Sequence, residues 1–72
     1  MIDWASCTAL ERDPQRMSGV WVFRGTRVPV ESLFRNLEDG ADVIDFVRWF
    51  LGVTAEQVRV VLEHAARSLQ VT

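Results

Sequence analysis

The chain has 72 residues, 49% of them apolar, with three Trp and a net charge of −2 from eight Arg and ten acids. It is one small domain, and a chain of this size hides only about 60% of the surface it exposes unfolded, so this much apolar surface predicts a partner. The charge excludes a generally basic nucleic-acid coat, the single Cys7 excludes a disulfide framework or a self-contained zinc finger, and no apolar run nears the roughly 18 residues of a membrane span.

Residues 1–8 carry no periodic signal beyond Trp4 and are expected to be a loosely held arm, with Cys7 a free thiol on it. They lack the basic and apolar regions of a signal peptide, so the expected location is cytoplasmic. The domain proper is expected over 9–72, with a strand region over 9–29. Leu10 to Arg12 fits a short strand, and Asp13-Pro14 and Ser18-Gly19 are turn signals. Between Gly19 and Gly25, Val20-Trp21-Val22-Phe23-Arg24 suits a pleated strand, with Val20, Val22 and Arg24 on one face and Trp21 and Phe23 on the other. Arg24 to Arg27 then forms a tight corner. Pro29 fits an extended residue or the first turn of a helix, where its missing N–H costs nothing.

After residue 29 the apolar spacing becomes helical. Val30, Leu33, Phe34 and Leu37 make one face of a first helix over about 30–38, which Gly40 ends. Asp42 caps a second helix over about 42–51, in which only Asp45 and Arg48 are polar after the cap. Its apolar arc spans about 220° of the helical wheel, where a surface helix shows a stripe of a little over 100°. Gly52 stops it. Thr54 caps a third helix over about 54–69, with Gln57 completing a capping box and Val53 and Val58 at the staple positions. Val58, Val61, Leu62, Ala65 and Leu69 form its core stripe. The predicted fold is mainly α: three helices joined by short Gly-containing turns, helix-turn-helix-like, after a small N-terminal strand or hairpin region. The Leu51-Gly52-Val53 connection suits a helix-turn-helix and any helical hairpin equally.

Several elements resemble the domain of unknown function 433 family. They are Arg12-Asp13-Pro14, Ser18-Gly19, the run Gly25-Thr26-Arg27-Val28-Pro29-Val30, the run Asn36-Leu37-Glu38-Asp39-Gly40, and the stretch from Trp49 to Val58. The resemblance covers about residues 9–69. It implies a helix-turn-helix-like fold and a dimeric antitoxin paired with a PIN-like nuclease toxin. The sequence departs from the family at Leu51, where many members have Pro after the aromatic, so Gly52 alone must end the second helix.

Candidate sites carry two readings each. Arg24, Thr26 and Arg27 could contact phosphate beside the backbone N–H groups that Gly25 leaves accessible. Equally, Thr26 could bond nearby backbone and Arg27 pair with Glu31 or Glu38, the usual fate of exposed Arg. Thr54, Gln57 and Arg59 lie where a recognition helix would read bases. Glu56 beside them repels phosphate, and a Glu56, Arg59, Glu63, Arg67 face can pair with itself, Glu63 with Arg67 included. DNA binding would then need a dimer. On the second helix, Phe46 and Trp49 are expected in a partner interface, with Trp21 and Phe23 contributing from a strand whose edge could pair with another chain. His64 has no second His and reads as structural or superficial. No nucleophile–base pair or phosphate-cradling Gly loop is present, so no enzyme, cofactor, metal or small-molecule substrate is predicted. The sequence thus points to a homodimeric or higher-order antitoxin binding a PIN-like toxin, with operator DNA as a second partner. The alternatives are a homo-oligomeric interaction domain without DNA binding and a stand-alone transcriptional regulator.

Overall fold

The computed structural model describes residues 2–15 and 19–70. A single turn of 3-10 helix, Trp4–Ser6, precedes two short strands, β1 (Leu10–Glu11) and β2 (Val22–Phe23). Three helices follow: α1 (Val30–Glu38), α2 (Val43–Trp49) and α3 (Ala55–Ser68). The fold is therefore mainly α, with a small antiparallel two-stranded sheet at its start. Leu10 pairs with Phe23 and Glu11 with Val22.

The expected strand over 20–24 shrinks to its two central residues. Val22 and Phe23, neighbours on opposite faces of the strand, are both buried. The segment 28–30 runs along the other side of β2: Phe23 N–H donates to Val28 O (2.9 Å), and Val30 N–H donates to Trp21 O (2.9 Å). β2 is flanked on both sides and is not the free edge expected for pairing with another chain.

The segment expected as a loose arm is packed onto the body. Asp3 caps the 3-10 turn by accepting from Ala5 N–H (3.1 Å). Trp4 lies against Phe34 of α1 and stacks on His64 of α3, at ring-centroid distances of 6.1 and 5.6 Å. His64 Nε2 is 2.7 Å from Asp3 O. Cys7 is free, as expected, but it is buried in the core rather than exposed on an arm.

The helix starts follow their sequence signals. α1 begins after Pro29 in extended conformation. Thr54 and Gln57 form the predicted reciprocal box at α3, and Asp42 and Asp45 form a second one at α2. α2 is shorter than expected, closing at Phe50 after Trp49. The turn to α3 depends on Gly52, whose φ of +99° lies in the left-handed region that side chains disfavour. Phe23, Phe46, Leu10, Leu33, Val58 and Val61 are the most deeply buried side chains, and the Phe23 and Phe46 rings sit 5.9 Å apart at the centre. Val53 and Val58 are both buried at the α3 start. Leu69, expected in the α3 stripe, lies just past the helix end and is exposed.

Candidate functional site

Two regions hold the residues singled out by sequence. The first joins the corner after β2 to the start of α3. Gly25 turns the chain at φ +80°, and its N–H donates to Glu11 Oε2 (2.8 Å). Thr26 Oγ1 donates to Phe23 O (2.7 Å) and accepts from Val28 N–H (3.0 Å), so its hydroxyl closes the turn. Arg24 reaches backward: Nε donates to Thr8 O (3.1 Å), Nη2 to Leu10 O (2.9 Å), and Nη1 lies 3.8 Å from Glu11. Gln57 accepts from Thr54 N–H through Oε1 (3.0 Å) and donates from Nε2 to Arg24 O (3.0 Å). Sequence reasoning thus named residues that do come together, but their polar atoms are turned onto one another and onto backbone.

Arg59 is engaged as well. It bridges Glu56 and Glu63, with Nε 3.1 Å from Glu56 Oε1 and Nη1 3.0 Å from Glu63 Oε2. The hydrogen bond from Arg59 holds the Glu56 carboxyl below its ordinary pKa, and the Glu56 carboxylate raises that of Arg59. Of the pairs expected on this face, Arg59 with Glu56 and Arg59 with Glu63 form, and among the described residues Glu63–Arg67 does not; the resulting triad holds two acids against one base. Arg27 pairs with neither Glu31 nor Glu38; Arg35 lies against both. Among the described residues, Arg12, Arg27, Arg48 and Arg67 are in no ion pair.

Arg12 was missed at the sequence level. It lies over the Trp21 ring, 4.8 Å from the centroid. With Arg27, Thr26, Glu11 and Asp13 it lines a cleft of about 450 Å³ beside the β1–β2 sheet. Its place in an Arg-Asp-Pro turn, spatially across from the Gly25 corner, carries no periodic signal, so only the fold brings the two guanidiniums to one cleft.

The second region is the solvent side of α2. Phe46 and Phe23, both expected in an interface, are fully buried in the core. Each helix position advances 100°, so a seven-residue helix must turn one flank inward, and Phe46 is on that flank. Trp21 is half-buried beneath Arg12. Trp49 remains as predicted on the surface at 58% exposure, and two further residues join it: Ile44 at 68% and Leu51 at 85%. Ile44 and Trp49 are on α2 itself, and Leu51 follows in the turn beyond its end. Arg48, four residues after Ile44 on the same side of α2, is exposed.

Among the described residues no group of three or more His, Cys, Asp or Glu is placed to hold a metal ion, and no helix is long and apolar enough to cross a membrane. The family model described as protein of unknown function (DUF433) matches residues 10–65. Neither the curated proteins nor the solved structures yielded a match.

Proposed function

The chain belongs to the DUF433 family, and from that premise we propose that it is a non-enzymatic, dimeric regulatory module. In this reading it is the antitoxin of a toxin–antitoxin pair, and the exposed face of α2 is its protein-binding surface. The observation that carries the reading is the exposure of Ile44, Trp49 and Leu51 on and just after one short helix, while Phe23 and Phe46 already complete the core. Large side chains left in water beside a finished core mark a surface that another protein covers. Trp and Arg, here Trp49 and Arg48, are the residues on which binding energy concentrates.

DNA contact is the weaker half of the proposal and keeps only part of the site read from the sequence. Thr54, Gln57 and Arg59 are held in a helix cap and an acidic triad, which disfavours α3 as a base-reading helix. Phosphate contact falls instead to Arg27 with Arg12 at the cleft, two guanidiniums outside the ion pairs found among the described residues.

Growth tests the protein-binding half. Co-expression with the adjacent reading frame, expected to encode a PIN-like nuclease, should relieve that protein's toxicity, and Trp49→Glu should abolish the relief. Rescue by Trp49→Glu equal to that of the unmodified chain contradicts the proposal. A gel-shift titration in rising salt tests the other half: affinity should fall steeply with salt, and Arg27→Ala should weaken binding evenly across sequences. No shift at low salt removes DNA from the account.

A further inference from the structure

The solvent face of α2 has a self-complementary order. About the midpoint between Phe46 and Val47, Asp45 mirrors Arg48 and Ile44 mirrors Trp49. An acid is thus placed opposite a base, and an aliphatic residue opposite an indole. Resting on the reading of this face as a protein-binding surface, we infer that its occupant is a second copy of the chain. The two α2 helices lie antiparallel across their outer flanks, about a two-fold axis level, along the helix, with the midpoint between positions 46 and 47. Arg48 of each chain then faces the partner's Asp45, and Trp49 packs on the partner's Ile44.

The geometry of the helix supports this placement. Ile44 and Arg48 are four apart, as are Asp45 and Trp49, so the four side chains form two adjoining rows on the outer side of the helix. The opposite flank is occupied by Phe46, which is fully buried. Charge is polarised along the helix: Asp42 and Asp45 form the capping box at its start, and Arg48 stands in its last turn. Arg48 is exposed and in no ion pair among the described residues. Asp45 receives one hydrogen bond from Asp42 N–H at 3.3 Å, which leaves carboxylate acceptor capacity open to a guanidinium.

A two-fold contact is isologous, so residue i meets residue j and j meets i. Only the antiparallel arrangement turns this polarity into two Arg–Asp pairs. A parallel arrangement sets Arg48 on Arg48 and Asp45 on Asp45, which repel. Antiparallel helices also set the partially positive start of one against the partially negative end of the other.

Sedimentation of full-length charge variants tests the arrangement. Arg48→Asp alone and Asp45→Arg alone should each lose the dimer and sediment as the 8.2 kDa chain, at concentrations where the unmodified chain is dimeric. An equimolar mixture should recover the dimer, because each contact then joins an acid to a base. Asp45→Arg also removes a capping carboxylate, so a second measurement avoids it. Chains carrying Ile44→Cys are mixed with chains carrying Trp49→Cys and oxidised. The native Cys7 is buried and out of reach, and the mixed dimer keeps one Trp49–Ile44 contact intact. Cross-linking between the two kinds of chain should prevail over links between like chains.

A dimeric Arg48→Asp variant, a mixture that stays monomeric, or prevailing like-with-like cross-links would overturn the arrangement. If Trp49→Glu still abolishes toxin relief in that case, the face binds protein but not in this way. If the unmodified chain is dimeric but keeps its dimer in Trp49→Glu and captures the neighbouring gene product through Trp49, the occupant is a different molecule. The inference then fails while the functional reading stands; a chain that stays monomeric overturns the inference and the dimer of that reading together.

Discussion

Gln57 shows how a residue that reads as a recognition contact can serve the fold. Its backbone N–H donates to Thr54 Oγ1, its Oε1 accepts from Thr54 N–H, and its Nε2 donates to Arg24 O. The capping box was legible because it is a local pattern of two residues three apart. The bond to Arg24 was not, because it spans 33 positions and exists only once the corner folds against α3. Gln57→Leu removes both side-chain bonds and should lower stability by about 1–2 kcal/mol in urea unfolding. Gln57→Glu keeps the acceptor but not the donor and should fall between the two. Glu56 gives a second residue-scale expectation. Its folded pKa is depressed by Arg59, so the stabilisation from this pair is present above the unfolded value and disappears as pH falls through the folded one. In Arg59→Ala the Glu56 midpoint, followed by NMR, should rise toward the ordinary carboxyl value; an unchanged midpoint contradicts the assignment. Gly52→Ala should destabilise by about 1–2 kcal/mol in urea unfolding, since its φ is +99°, where a Cβ is strained.

Among the elements, the helices were legible in the sequence, and the N-terminal segment was not. α1 matches the span read from its apolar spacing, and α3 begins at the predicted cap. Each has a local start signal and a stripe with one clear inner side. The segment 2–9 has neither period nor repeat, and a single 3-10 turn carries too few residues to show one. What holds it is long-range: Trp4 between Phe34 and His64, and Arg24 bonded to Thr8 O and Leu10 O. Trp4→Ala should therefore lower stability by about 2 kcal/mol, below the full cost of deleting a buried aromatic because Trp4 is half-buried. A neutral result would mean the segment is an arm after all. α2 posed a different difficulty. An arc wide enough to cover both flanks shows that some apolar surface must face outward, but not which part. The tertiary structure decides it by seating Phe46 against Phe23, which leaves Ile44 and Trp49 on the other flank and Leu51 beyond the helix end.

At the scale of the whole molecule, the question is whether so small a chain can leave that surface in water. The body is held from both ends: the 3-10 turn closes over α1 and α3, and the sheet, flanked by segment 28–30, anchors the corner that Gln57 ties to α3. No part of this framework reaches the outer flank of α2. On the proposed reading its exposed apolar residues serve assembly rather than a core left unfinished. Sedimentation equilibrium of the unmodified chain beside Trp49→Glu, across a dilution series and with helix content checked by circular dichroism, tests this most directly. The account predicts a dimer that dissociates on dilution for the unmodified chain, and a folded monomer at every concentration for the variant. A concentration-independent monomer, or equal self-association in both, would contradict it.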